Sequence, residues 1–279
     1  SSVIWATGSA NHVEIRGIRI ANGSANGAGG LYNNAVLTLK DCVFADNFAN
    51  NGADCEQLLV TRRRQIPRLV KMMDEDPKRW QRGVVVIRIG LANLIPLMDI
   101  QVATPGAPAV QARVQSCMAR FRESVAMIRS NHPQTHIVLV GSFDESNDPG
   151  NLDHWQSARE IGNIALMFDA FDAGLRAIVA QDPNASFFDD RAWFHRMWGS
   201  RDAQGRPAYK TVAIGPTLRV TNTMGDEPSH ALLSDDHAGL VWNVLWAQAL
   251  VRHLHDVAKM PVTPISDAEV ERLVRSLTE

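Results

Sequence analysis

The sequence predicts a three-layer α/β fold, in which a parallel sheet lies between two layers of helices. Residues 83–90 and 136–142 are short runs of apolar, mostly β-branched residues, and this composition is typical of strands that are buried on both faces. Long segments with helical spacing follow both runs. Strands that alternate with long helices indicate a parallel sheet with helical crossovers. We therefore expect one such domain over about residues 55–258.

The elements of this domain follow from hydrophobic spacing and from turn residues. In chain order they are helix 66–73, strand 83–90, loop 101–108, helix 109–130, strand 136–142, acidic loop 143–153, helix 154–181 and strand 185–190. Pro67 is tolerated in the first turn of the first helix. The core face of helix 109–130 is predicted to be Val110, Val114, Met118, Phe121, Val125 and Ile128.

The C-terminal third is less regular. Residues 191–233 lack a clear period, with a hairpin expected around Gly215 and Pro216. A helix is expected to start at His237 and to run to about His255. Ser266 and Glu269 have the spacing of a capping box, which predicts a last short helix in a C-terminal tail, residues 259–279.

Residues 1–54 differ from the rest in being rich in Asn, Gly and Ala. Residues 13–22 align with residues 37–46, and such a repeat of alternating apolar residues predicts one coil of a solenoid. The segment resembles the rungs of right-handed parallel β-helices in secreted and autotransporter proteins. Two interpretations stay open for it, namely coils beside the α/β domain or the first strand and loops of that domain.

The composition excludes some classes of function. The chain has 279 residues and a net charge of −2, so a basic surface for nucleic acid is not indicated. No apolar run has the length of a membrane span. The three cysteines, Cys42, Cys55 and Cys117, have no CxxC spacing, and buried free thiols are expected, with at most one disulfide. The oligomeric state is not determined by the sequence.

Two stretches carry residues with chemical potential. Asn93 follows Gly90 at the end of the strand over 83–90, where sites form in open α/β sheets. His237 follows Asp235 and Asp236, and either acid could orient the imidazole so that His237 acts as a general base. The alternatives are that Asn93 satisfies loop backbone groups and that the acids cap a helix beside a surface histidine.

The order of these features resembles the SGNH hydrolases, the GDSL-type esterase and lipase superfamily. Residues 84–93 are similar to the family block that supplies an oxyanion-hole Asn, although the family spacing Gly-x-Asn-Asp is one residue shorter than Gly90 to Asn93. Gly52 lies in a stretch similar to the block that supplies an oxyanion-hole Gly, and the same residues also fit the solenoid repeat. Asp235 and His237 are similar to the C-terminal block, although the family spaces its acid three residues before the histidine. The resemblance implies a flavodoxin-like sheet.

The family's nucleophilic Gly-Asp-Ser tripeptide is missing from this chain. Ser9, which follows a strand-like run and Gly8, is the nearest candidate for the nucleophile. Ser142, at the end of a predicted central strand, is the second candidate. A turn serine of a β-helix is the competing interpretation of Ser9, and a nucleophile missing from the sequence is also left open.

The resemblance implies a serine-type hydrolase of carboxylic esters, either short acyl esters or acetyl groups on a polysaccharide, that needs no cofactor. The alternative is a catalytically inactive SGNH-like protein for binding or surface display. No metal site is expected, because Asp153–His154, Asp189–Asp190 with His195, and His253 with His255 each lack a third ligand at recognisable spacing. The compartment is not determined, and the β-helix resemblance leaves secretion or the cell surface open.

Overall fold

The computed structural model describes residues 52–61 and 64–278, together with the backbone of four short strands between residues 4 and 40. These residues form two compact units. The sheet unit comprises residues 52–208, and the terminal unit comprises residues 1–51 and 209–279. The domain boundaries that the sequence predicts, after residues 54 and 258, stay a prediction.

The bounds of the described elements are as follows. The strands are β1 (Ile4–Ala6), β2 (Val13–Arg16), β3 (Leu31–Asn33), β4 (Leu37–Lys40), β5 (Val84–Ile87), β6 (His136–Val140), β7 (Ala185–Phe188), β8 (Gly199–Arg201), β9 (Pro207–Tyr209), β10 (Thr211–Ile214), β11 (Leu218–Met224) and β12 (His230–Leu232). The helices are α1 (Gln65–Asp74), α2 (Pro77–Trp80), α3 (Leu91–Leu94), α4 (Met98–Ala103), α5 (Pro108–Asn131), α6 (Ala158–Val179), α7 (Asp190–Trp198), α8 (Leu240–Asp256) and α9 (Asp267–Thr278). None of these helices combines the length and apolar composition that a membrane crossing requires.

The sheet unit is built on a parallel sheet with the strand order β5-β6-β7. Val84 pairs with His136 in β6, and Val140 pairs with Phe188 in β7. Residues 137–140 of the middle strand are all 0% exposed. Because successive side chains of a strand point to opposite faces, both faces of β6 are covered. The predicted α/β fold on a parallel sheet is confirmed.

The core of the sheet unit lies between the sheet and the helix pair α5 and α6. All six residues predicted for the inner face of α5 are buried. One of them, Phe121, meets Phe171 of α6 edge to face, with ring centroids 6.0 Å apart. The expectation of free thiols is wrong for two of the cysteines, because Cys55 and Cys117 form a disulfide that joins residues 52–61 to α5. Spacing in sequence could not reveal that the fold brings these two residues together.

Four of the described helices, α2, α3, α4 and α7, were not predicted, and polar residues obscured the last two. The predicted loop over 101–108 begins instead within α4, where the buried Gln101 makes hydrogen bonds to backbone groups. Helix α7 lies in the segment expected to be irregular. Asp189, expected at the end of a strand, is the N-cap of this helix and accepts a hydrogen bond from the N–H of Ala192 at 2.9 Å.

In the terminal unit, the hairpin predicted around Gly215 is confirmed as the antiparallel pair β10 and β11. The capping box is also confirmed, because Ser266 and Glu269 exchange hydrogen bonds at the start of α9. The helix predicted from His237 begins at Leu240 instead. Backbone hydrogen bonds around residues 233–239 form a turn there, so His237 precedes the helix.

The four N-terminal strands form two parallel pairs, β1 with β3 and β2 with β4. In the second pair Val13 lies opposite Leu37 and Arg16 lies opposite Lys40. This register equals the offset between the repeated sequence segments. Parallel pairing of the repeats is compatible with coils of a solenoid, and the β-helix interpretation stays a prediction.

Candidate functional site

Gly90 turns the chain out of β5 and into α3, which carries Asn93. Its backbone has φ of +122°, and a Cβ at this position would lie 2.5 Å from Cζ of Phe171. A residue with a side chain would therefore be strained in its backbone and would clash with the core. The turn places Asn93 just beyond the carboxyl end of β5, where it is 6% exposed.

The side chain of Asn93 is held by the loop that contains Gly52. Its Oδ1 accepts a hydrogen bond from the backbone N–H of Cys55 at 2.7 Å. Among the described residues, no atom accepts a hydrogen bond from its Nδ2. Gly52 has φ of +63° and is exposed, with open space where a Cβ would be. The short helix α3, which carries Asn93, is therefore joined to the segment that contains Gly52 by a buried hydrogen bond.

The disulfide partner of Cys55 holds this loop in place. Asp54 caps the short helix that starts at Cys55, accepting a hydrogen bond from the N–H of Gln57 at 3.1 Å. Cys55 and Cys117 are each 1% exposed, so the disulfide lies within the core. The orientation of Asn93 thus depends on a loop that is fixed by both a cap and a covalent bond.

Asp235 and His237 form a pair on the turn between β12 and α8. Nδ1 of His237 lies 3.2 Å from the carbonyl oxygen and 3.3 Å from Oδ1 of Asp235. Both partners are acceptors, so Nδ1 carries the proton and Nε2 keeps its lone pair in the neutral ring. The side chains are each 69% exposed. Of the two acids that the sequence left open, Asp235 contacts the ring, while Asp236 has a positive φ of 70° within the turn.

The two candidate nucleophiles have different outcomes. Ser9 lies outside the described residues. Ser142 is buried, and both its N–H and its Oγ donate to Oδ1 of Asp172, at 2.7 Å and 3.1 Å. Burial raises the pKa of Asp172, although Ser142 and Arg191 oppose that rise. Ser142 is therefore part of a buried polar cluster with Asp172. Among the described residues, its hydroxyl contacts no histidine.

The predicted residues are distributed over both units. Gly52 and Asn93 belong to the sheet unit, while Asp235 and His237 belong to the terminal unit. Within the sheet unit, Asn93 is bonded to Cys55, which follows Gly52 by three residues, and within the terminal unit Asp235 contacts His237. The position of Ser9 relative to either pair remains a prediction.

A further polar cluster, which the sequence analysis did not assemble, lies in an open pocket of the sheet unit. The pocket has a volume of about 520 Å³ and follows the carboxyl ends of β6 and β7. Asp144, four residues after β6, accepts a hydrogen bond from Nε2 of His195 in α7. The only signal in the sequence was an acidic loop directly after a buried strand, because its partner lies 51 residues away.

Asp189, Asp190 and His195, one of the sets that lack a further ligand in the sequence, are explained by other contacts. Asp190 binds Arg88 and Asp189 binds Arg176, so neither aspartate is the partner of His195. Within the described residues, no group of three or more His, Cys, Asp or Glu side chains is arranged to hold a metal ion.

No protein-family model and no curated protein matches the chain. Solved structures that match part of it include an extracellular lipase of Streptomyces rimosus, at 17% identity and a TM-score of 0.37, over 73% of this chain and 76% of that one. Phospholipase A1 of Streptomyces albidoflavus matches at 15% identity and a TM-score of 0.34, over 62% of this chain and 74% of that one.

A protein described as a GDSL-like lipase, from Parabacteroides merdae, matches at 16% identity and a TM-score of 0.32, over 62% of this chain. The match spans 65% of that protein, which is less than two thirds of its length. Similarity at this level carries no argument about the activity of this chain, which rests on its own residues.

Proposed function

We propose that this protein is a serine-type hydrolase of carboxylic esters with the site organisation of the SGNH superfamily. The observation that carries the proposal is the hydrogen bond from the N–H of Cys55 to Oδ1 of Asn93 at 2.7 Å. It joins two separate sequence blocks, and it orients a buried amide whose Nδ2 has no recorded partner among the described residues.

Gly52 and Asn93 are proposed to form the oxyanion hole. Its donors would be the backbone N–H of Gly52 and Nδ2 of Asn93. Such donors are effective because they are aligned before the reaction begins, so no reorganisation is needed as charge develops on the carbonyl oxygen. The disulfide between Cys55 and Cys117 supports that alignment, because it fixes the segment that carries Gly52 and Cys55.

His237 is proposed as the general base and Asp235 as the acid that orients it. The proton on Nδ1 is directed to Asp235, because Nδ1 lies 3.2 Å from its backbone carbonyl oxygen and 3.3 Å from its Oδ1. Nε2 is then the basic nitrogen, and among the described residues it has no partner. This arrangement matches the roles of the histidine and acid in serine hydrolases, which are recognised by geometry and not by position in the sequence.

Ser9 is proposed as the nucleophile. It follows the end of β1 by three residues, and β1 lies beside α8, the helix that begins three residues after His237. Both elements belong to the terminal unit. The contact between β1 and α8 is the support for placing Ser9 in the same site as His237.

The proposed reaction has two steps. Nε2 of His237 takes the proton of the Ser9 hydroxyl as Oγ attacks the ester carbonyl carbon, and the same proton passes to the departing alcohol. Water then attacks the acyl-enzyme, again losing a proton to His237, and the carboxylic acid leaves as Ser9 recovers its hydrogen. We propose short acyl esters or acetyl groups on polysaccharide as substrates, and no cofactor enters either step.

Labelling with a fluorophosphonate, followed by mass spectrometry of the tagged peptide, tests this proposal. The expected result is a label on Ser9 that is absent from Ser9→Ala and from His237→Ala. His255→Ala is the matched control, because His255 is also an exposed histidine of the terminal unit whose Nδ1 faces an aspartate, Asp256, at 2.7 Å. A label on Ser142 would contradict the assignment of Ser9.

One observation favours the alternative of a catalytically inactive protein for binding or display. His237 and Asp235 are each 69% exposed, and water competes for hydrogen bonds at such positions. If the folded protein takes up no fluorophosphonate and hydrolyses no short ester, the alternative replaces the enzyme proposal.

A further inference from the structure

The pocket of the sheet unit that contains Asp144 and His195 offers chemistry that the proposed esterase site does not use. One part of its wall is apolar and consists of Ala158, Ile161, Ala165, Ala192 and Ala203. Other lining residues are polar and include His195 and Arg201. Its position beyond the carboxyl ends of two parallel strands is where open α/β sheets bind ligands.

Asp144 is a buried carboxylate that fixes the orientation of the His195 ring. Burial tends to raise the pKa of Asp144, but hydrogen bonds from His195, Ser146 and Asn147 outweigh this effect and hold the pKa below its ordinary value. Asp144 is therefore ionised near neutral pH and can only accept hydrogen bonds. Nε2 of His195 must then carry the proton that lies between the two residues.

The other ring nitrogen of His195 is available to a ligand. With the proton on Nε2, the neutral ring has its lone pair on Nδ1. The side chain is 39% exposed, and among the described residues Nδ1 has no hydrogen-bond partner. A histidine that lines a pocket, with one nitrogen held by a buried acid and the other without a partner, has the arrangement of a general base.

Arg201 supplies a positive charge to the same pocket. Its guanidinium donates to the carbonyl oxygens of Gly205 and Ser146, both at 2.8 Å. Within the described part of the chain, no carboxylate forms an ion pair with it. A fixed cation without a charged partner can stabilise negative charge that develops on a bound carbonyl oxygen.

The rim of the pocket indicates the charge of its ligand. Asp169, Asp189 and Asp202 have side chains that are 63%, 35% and 30% exposed. These carboxylates are paired with arginines, but they still disfavour the approach of an anionic molecule. An uncharged substrate meets no such barrier, and the alanine-rich wall can accept a small acyl group.

We propose that this pocket is a second hydrolytic centre, in which His195 activates water against small uncharged carboxylic esters. Nδ1 of His195 takes a proton from water as the water oxygen attacks the carbonyl carbon, and the oxyanion forms beside Arg201. When the intermediate collapses, the bond to the alcohol oxygen breaks and the imidazolium returns the proton to that oxygen. One ester and one water give one acid and one alcohol, without an acyl-enzyme.

The test uses the full chain with the two substitutions Ser9→Ala and His237→Ala. These substitutions remove the nucleophile and the base of the proposed esterase site. Hydrolysis of p-nitrophenyl acetate by this double variant is compared before and after adding His195→Gln. We expect at least a tenfold loss of the residual rate. The matched control is His154→Gln, because His154 also bonds an aspartate, Asp99, through Nε2 at 3.1 Å, but lies outside the pocket.

Two further readouts separate catalysis from a structural role of the pair. The residual rate should be slower in D2O than in water, because His195 takes a proton from water in the proposed step, and His195→Gln should remove that difference. Diethyl pyrocarbonate carbethoxylates histidine, and it is applied to the variant that carries only Ser9→Ala and His237→Ala. The residual rate should fall in proportion to the modified fraction of His195, and the fold should not change.

Either of two results would overturn the second centre. One is that the double variant shows no residual hydrolysis. If the unsubstituted protein is active, that result leaves the proposed serine mechanism intact. The other is residual hydrolysis that survives His195→Gln. An acyl group found on Ser200, which also lines the pocket, would overturn the direct attack by water.

Discussion

The backbone N–H of Cys55 and the side-chain oxygen of Asn93 are 2.7 Å apart, and this hydrogen bond connects residues that are separated by 38 positions. Cys55 is joined covalently to Cys117 of α5, while Asn93 is set by the turn at Gly90. The orientation of one amide thus depends on a disulfide and on a glycine, and both dependences can be tested.

Asn93→Asp should separate the two functions of this side chain. The aspartate can still accept the hydrogen bond from Cys55, but it cannot donate to an oxyanion and brings a negative charge to the site. Under the proposed function, kcat for a short ester should fall by about 10²–10³-fold, as for the loss of an oxyanion donor. A variant that melts like the unsubstituted protein and keeps full kcat would contradict the role of Asn93.

Gly90→Ala should destabilise the protein and reduce activity together. The backbone φ of +122° disfavours any side chain, and the added methyl would lie 2.5 Å from Phe171. Strain of this kind costs about 1–3 kcal/mol of unfolding free energy. Urea unfolding measures the effect, and Gly162→Ala is the control.

Gly162 lies within α6, and no heavy atom is within 4 Å of the position that a Cβ would take there. Replacing a helical glycine by alanine stabilises a protein by about 0.5–1 kcal/mol. The two substitutions should therefore change stability in opposite directions. Equal effects would show that the strain at Gly90 is absent in solution.

The double variant Cys55→Ala, Cys117→Ala should lose about 4 kcal/mol of unfolding free energy. The reason is that a crosslink between residues 62 positions apart lowers the entropy of the unfolded chain. Denaturant titration of both proteins with and without dithiothreitol measures this. The reductant should weaken the unsubstituted protein and leave the variant unchanged. If the reductant has no effect on either protein, the two cysteines are not crosslinked.

Asp144→Asn should change how stability depends on pH. The folded-state pKa of Asp144 lies below its ordinary value of 3.8, mainly because its hydrogen bonds outweigh the effect of burial. The folded state therefore favours the ionised carboxylate, and that contribution is present above about pH 4 and is lost as the pH falls through the folded-state pKa. The stability difference between the two proteins should shrink in acid.

Unfolding free energies measured between about pH 2 and pH 6 test this dependence. Asp99→Asn is the control, because Asp99 is also bonded to a histidine but is 74% exposed. Its difference from the unsubstituted protein should stay small across the range. A difference for Asp144→Asn that is constant with pH would show that its carboxylate is not stabilised by the fold.

Much of the sheet unit could be predicted from the sequence. The strands β5, β6 and β7, the helices α5 and α6, and the buried face of α5 follow from hydrophobic period, which acts over a few neighbouring residues. The position of Asn93 beyond the carboxyl end of β5 follows in the same way, because Gly90 ends the buried run just before it. The loop expected there is instead the short helix α3. Helix α7 was missed because the acids before it resemble the end of a strand, whereas one of them is a cap.

The sequence by itself determined which segments alternate as strands and helices, where Asn93 and His237 lie along the chain, and the offset of the N-terminal repeat. Only the tertiary structure decided that Cys55 orients Asn93 and bonds to Cys117, and that Asp144 holds His195. Each of these contacts joins residues from different elements. Local spacing carries no information about such contacts, because packing of the complete core selects which distant side chains meet.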